Sequence, residues 1–358
     1  MEEKRKGNFE LLRVISMLAI VIFHFSDWGG LLYIDNIPNR LFGQFINIGG
    51  NIGVNLFVLI SGYFLVNSKF KTKKILKIIL EVWVYSVVIA LIAFAFGIRK
   101  DSTLLIKSFL PISYNMYWFA TMYVGMYLLF PIINKLINNL NRKKHKNVVI
   151  LLGIMLSAIP TFLIGSNPFC SELIWFIYLY ILAGYIRKYD IKFMNNNKKN
   201  ILIITILILL IFLINVLVIS IELKLEIKKG ILVKYLKTTN MNSLIMLILS
   251  IYIFMFFKNM NIKNNKVLSI LAKSSFAVYL IHINVITTEY LFYKIIKIQN
   301  YYNANLLVLM GYVLIVTITI YLICTLIEII RIKLIEEPIF KIKKFDKYFE
   351  KVDEIMNN

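Results

Sequence analysis

Arg13 and His24 have the types and spacing to do chemistry, and both lie inside one apolar run, Phe9 to Phe25. Eleven residues of α-helix return to within about 20° of the starting direction, so the two would share one face. The same eleven residues climb about 16 Å, too far for both to grip one atom of a ligand. They suit two parts of one long ligand lying along the helix. A guanidinium and an imidazole at hydrocarbon depth are costly unless partnered, which makes them candidates for function. Histidine is also scarce here, with only His24, His145 and His282 in the chain. Glu10 sits one turn before Arg13, placed to pair with it, and Asp27 one turn after His24, placed to orient the imidazole. The ordinary alternatives are an Arg13 that snorkels to the inner surface and a His24 that bonds another helix.

The elements that must carry these residues are membrane spans. The chain has 358 residues, of which 59% are hydrophobic, and a mean hydropathy of +0.74, more apolar surface than a soluble domain can cover. The periodicity predicts an all-α, polytopic transmembrane helical bundle of about ten spans, near 9–27, 45–66, 75–97, 116–137, 148–166, 172–186, 200–222, 241–258, 267–293 and 305–332. The first reads as a retained span rather than a cleaved signal, since no small-residue cleavage site follows it. With both termini cytoplasmic, the inner segments carry more than twice the Lys and Arg of the outer ones. The net charge of +22 therefore reads as membrane orientation and contact with anionic lipid, not as nucleic-acid binding. The outer stretch from Lys224 to Lys237 is unusually basic for its side and suits an interfacial helix. Residues 1–335 form one membrane domain and 336–358 a short charged cytoplasmic tail. Cys170 and Cys324 fit no disulfide or metal pattern, and no metal site is expected.

Several segments together resemble the acyltransferase-3 family of integral-membrane acyltransferases. Glu10-Leu-Leu-Arg13 followed by His24 is similar to its first-helix signature, and Gly53-Val-Asn-Leu-Phe-Val-Leu-Ile-Ser-Gly-Tyr-Phe-Leu65 to its second-helix pattern. Trp118-Phe-Ala-Thr-Met-Tyr-Val-Gly-Met-Tyr-Leu-Leu-Phe-Pro131 and Ser274-Ser-Phe-Ala-Val-Tyr-Leu-Ile-His282 continue it, with weaker echoes in Ala183-Gly184-Tyr185 and Glu336-Glu-Pro338. One departure stands out. Where the family often has two arginines after the second helix, this chain has Lys73, Lys74 and Lys77, which keep the charge and lose the bidentate fork. The resemblance is to stand-alone members of the polysaccharide O-acetyltransferase type, without an appended hydrolase-like domain.

The resemblance implies a membrane O-acyltransferase that uses acyl-CoA, most often acetyl-CoA, as co-substrate and a glycan or glycolipid hydroxyl as acceptor, in the cytoplasmic membrane of a bacterium. Coenzyme A phosphates would meet Arg13, Lys73, Lys74 and Lys77, and the thioester would reach His24. His24 acts either as general base or as a transient acyl acceptor, alternatives the sequence leaves open. Asn55, Trp118, His282 and Glu289 are candidates for the acceptor side, with helix–helix hydrogen bonding the plain alternative for His282. Ser61 reads as packing support beside Gly62, and His145, in a Lys/Arg run, as solvated. The competing function is a proton-coupled transporter or flippase of a glycan or lipid precursor, using His24, His282 and Glu289 as a relay. No internal repeat supports that alternative.

Overall fold

The structure is a computed structural model that describes residues 6–98, 101–162, 169–229, 232, 239–342 and 346–358. Its described residues contain helices and no strand. In chain order the main helices are α1 (Gly7–Asp27), α2 (Ile37–Leu65), α3 (Thr72–Ala95), the short α4 (Ser102–Ser108), α5 (Trp118–Asn138), α6 (Arg142–Phe162) and α7 (Glu172–Lys188). They continue with α8 (Asn197–Lys224), α9 (Leu244–Lys258), α10 (Lys266–His282), α11 (Leu306–Phe340) and α12 (Asp346–Asn357). Each of the ten expected apolar segments is helical over most of its described residues. Among the described residues seven helices, α1, α2, α3, α5, α6, α8 and α11, are long and apolar enough to cross a membrane, and α9 is a shorter apolar helix.

Side-chain caps set many of the boundaries. Asn36, Asn141, Asn196, Asn265 and Asn305 each accept a backbone N–H at the start of α2, α6, α8, α10 and α11, as Ser171 and Ser243 do for α7 and α9. Two differences from the expected spans follow from local chemistry. α2 begins eight residues before position 45, because its polar first turns are paired. The buried Arg40 forms an ion pair with Glu222 and donates to the Leu32 carbonyl (3.1 Å), and Asn39 donates to the carbonyls of Tyr302 and Ala304. The helix expected over 267–293 stops at His282. There the Asn284 side chain accepts from the backbone N–H of Ile286 (2.9 Å) and its carbonyl accepts from Thr288 Oγ1 (2.6 Å), a local alternative to the helix ladder. The boundary expected between residues 335 and 336 falls inside α11. Most of the basic stretch at 224–237 lies outside the described residues.

α1 is the central helix for function, and it packs on α2 and α10. Its seam with α2 is lined by glycines. A Cβ at Gly50 would stand 2.3 Å from the Phe23 ring, and one at Gly53 2.7 Å from both the Ser16 carbonyl oxygen and Ile20. At the other side Gly7 abuts the backbone of Ile262 to Asn264, just before α10, while His24 abuts His282 at its end. α1 and α10 therefore run side by side in the same direction. Gly53→Val is expected to lower the thermal midpoint of the purified protein by several degrees, since overpacking against backbone costs about 1–3 kcal/mol. Gly311→Val, whose Cβ would meet nothing within 4 Å, is the matched control and should leave the midpoint unchanged.

Candidate functional site

A cavity of about 650 Å³ opens between α1, α2, α3, α5 and α10, within the roughly 300–1,000 Å³ of small-molecule sites. Arg13 and His24 both line it, as their shared helix face requires. Parallel packing of α1 and α10 then sorts its charges. Arg13 and Lys273 lie on the cavity wall in the first halves of the two helices, with Ser61, Glu81 and Ser275 also on the wall. His24 lies further along, and Asp27, Trp28 and Trp118 line the wall as well. Arg13 and Lys273 are about 16 Å and 13 Å short of the two imidazoles along their helices at 1.5 Å per residue.

Arg13 donates to Glu10 at 2.8 Å, and Glu10 is only 1% exposed, so the expected support is in place. His24 is 8% exposed. Its Nδ1 is buried without a hydrogen-bond partner, and its ring centre lies 5.2 Å from that of His282. His282 is 1% exposed, does not line the cavity, and donates Nδ1–H to the Val278 carbonyl. The exposed indoles of Trp28 and Trp118, 41% and 37% accessible, face the cavity with the carboxylate of Asp27.

Other expected site residues lie elsewhere. Asn55 is fully buried and spent on packing. It accepts from Trp175 Nε1 (2.9 Å) and donates to the Met241 carbonyl (2.8 Å) and Ser250 Oγ (3.2 Å), which ties α2 to α7 and α9. Glu289 is exposed in a single turn past the end of α10 and is absent from the cavity wall, because the break after His282 removes the helical register that would have aligned them. Lys73, Lys74 and Lys77 also stand off the wall. Lys77 donates to Glu336 (2.7 Å), and Lys73 donates to the Phe340 carbonyl (3.0 Å) and lies 3.8 Å from Asp346. The C-terminal segment thus lies against these lysines. Asp353 further accepts from the Thr72 amide and hydroxyl, both at 2.6 Å, at the start of α3. His145 is fully buried rather than solvated. It packs against Tyr185 and Tyr189 with Nε2 3.1 Å from the Ile181 carbonyl, because α6 lays this turn onto α7.

Sequence reasoning passed over Lys273 and Glu81. Lys273 was visible as the second basic residue inside a span. Glu81 had no motif around it. It lies 3.7 Å from Arg331, which also binds Glu328 and Glu336 at 2.7 and 2.8 Å. Among the described residues no group of three or more His, Cys, Asp or Glu side chains could hold a metal ion, and Cys170 and Cys324 are both free thiols.

A bundle of apolar helices around a largely apolar cavity, with basic and imidazole side chains on its wall, marks a multi-pass membrane protein with an internal reaction or binding site. A family model described as an acyltransferase domain, that of the acyltransferase-3 family, matches residues 6–327. The chain belongs to the acyltransferase-3 family and is a membrane acyltransferase. No curated protein and no solved structure matches it.

Proposed function

We propose that this protein is an O-acyltransferase of the bacterial cytoplasmic membrane, of about ten spans with both termini cytoplasmic. It moves an acyl group, acetyl in the simplest case, from cytoplasmic acyl-CoA to a hydroxyl of a cell-surface or lipid-linked glycan. The observation that carries this reading is the single cavity bounded by Arg13 and Lys273 towards the start of α1 and α10 and by His24 further along. A polyanionic carrier with a long thin arm matches that order. Arg13 and Lys273 attract its phosphates or orient its arm, and the thioester comes to rest beside His24. Lys74 contributes to nucleotide binding, and Lys73 and Lys77 join it only where Asp346 and Glu336 yield them.

In the transfer His24 takes the proton of the acceptor hydroxyl as its oxygen attacks the thioester carbonyl. The C–S bond then breaks, and the thiolate of coenzyme A leaves with that proton. In the alternative course the His24 nitrogen attacks first and passes the acyl group on. The acceptor side follows from the rim. Two exposed indoles offer flat faces to sugar rings, and Asp27 accepts hydroxyl or ammonium donors. That chemistry favours neutral or amino sugars over uronic or other anionic ones.

The test is purified protein with labelled acetyl-CoA and a panel of neutral, amino and anionic glycan acceptors. Transfer to neutral or amino sugars, with acceptor KM raised at least tenfold in Trp28→Ala and Trp118→Ala and donor KM unchanged, is the expected result. Absence of transfer, together with proton-coupled uptake of a glycan or lipid precursor in proteoliposomes, would overturn the reading in favour of a transporter.

A further inference from the structure

Resting on the proposed role of His24, we propose that His282 is a positioning residue that fixes the tautomer of His24 by accepting a hydrogen bond from its Nδ1–H. Three observations carry this assignment. His282 Nδ1 is committed to the Val278 carbonyl, one turn back on α10. A carbonyl only accepts, so Nδ1 of His282 bears the proton and Nε2 of the neutral ring keeps a lone pair. That Nε2 is buried with no partner, and so is Nδ1 of His24. The two rings stand with centres 5.2 Å apart, and imidazoles joined end to end by one N–H···N bond of about 3 Å have centres about 5 Å apart.

Each buried orphan would cost about 1–3 kcal/mol if left unmade. Only one donor–acceptor assignment satisfies both. His24 Nδ1 must donate, because His282 Nε2 can only accept. His24 Nε2 is then left as a bare lone pair, on the one ring nitrogen not sealed away from the cavity that His24 lines. That lone pair is what either a general base or an acyl-accepting nitrogen needs. When Nε2 takes up a proton, the bond from Nδ1–H to His282 holds the ring in place. The arrangement explains why a second histidine lies one layer behind the wall without facing the cavity.

The chain's three histidines make ¹⁵N-histidine NMR of the detergent-solubilised protein tractable, with His145→Gln, His24→Gln and His282→Gln spectra giving assignments. The wild type should show His24 protonated at Nδ1 and bare at Nε2. His282→Asn keeps a donor to Val278 and lacks an acceptor where Nε2 was, so His24 should become a mixture of tautomers. Its kcat should fall about 10- to 100-fold, the scale on which outer partners of a functional imidazole act, with donor KM unchanged. His282→Gln, whose amide oxygen can reach the position of Nε2, should recover the Nδ1–H tautomer and part of the rate. A wild-type His24 carrying its proton on Nε2, or a His282→Asn protein with wild-type tautomer and rate, would overturn the proposal. If both variants fail to fold, the wild-type spectrum alone still decides. The expected tautomer together with an active His24→Ala protein would leave the pair standing and remove His24 from the chemistry.

Discussion

Replacing His24 with alanine is expected to abolish acyl transfer, lowering kcat by about two to four orders of magnitude, the usual contribution of a positioned acid–base group. Donor binding should survive, because the cations on the cavity wall, Arg13 and Lys273, lie about 16 and 13 Å short of His24 and of its neighbour His282 along their own helices. Isothermal titration with coenzyme A, run beside the transfer assay, separates the two quantities. His24→Gln controls for the void left by alanine, since it fills much of the space and cannot take a proton at neutral pH. Retained transfer in both variants would defeat the mechanism. Retained protein labelling by acetyl-CoA in the wild type without acceptor, lost in both variants, would select the acyl-histidine course over direct attack.

Arg13→Gln is expected to raise the donor KM at least tenfold with a smaller change in kcat, and Lys273→Gln to do the same. A charge-assisted hydrogen bond is worth about 1.5–3 kcal/mol, and tenfold in affinity corresponds to about 1.4 kcal/mol. Arg13 carries a complication, because its partner Glu10 is almost fully buried. Removing one member of a buried pair costs about 3–5 kcal/mol, so loss of fold could mimic loss of binding. Arg13→Lys keeps the charge without the fork and should bind donor with intermediate strength. Among the described residues no carboxylate stands within ion-pair distance of Lys273, which makes it the cleaner probe. An unchanged donor KM in Lys273→Gln and Arg13→Lys would remove the phosphate role from this end of the cavity.

The first helix was readable from the chain alone. An eleven-residue spacing on a 3.6-residue helix dictates a shared face, and Arg13 and His24 do meet one cavity. The helices of the long apolar runs were readable too, since runs of that length have no other stable form in lipid, whereas α4 and α12 were not. Boundaries were less so. The polar turns at Asn39 and Arg40 read as loop, and only their partners, Glu222 and the carbonyls near residue 303, make them helix. Asn55 and Glu289 failed for different reasons. The sequence places Asn55 on α2 without fixing its direction, and rotation about the helix axis aims it at Trp175 and Met241. Glu289 was placed by extending a register that the side chain of Asn284 ends. Partners that meet across hundreds of residues, such as Tyr85 with Glu328 or Thr72 with Asp353, leave no periodic trace.

The early stop of α10 divides the protein into parts under different constraints. The basic residues and both imidazoles ride on continuous helices whose seams tolerate almost no change, as the glycine contacts of α1 and α2 attest. Beyond Ile283 the chain runs through short turns and irregular backbone up to Asn305, and Ile283 and Val285 already touch the cavity. Under the proposed function, exchange of this segment between relatives would therefore change which acceptor is modified while the half that carries Arg13, Lys273 and His24 stays untouched. Diversification of acceptor choice within such enzymes is expected to concentrate there.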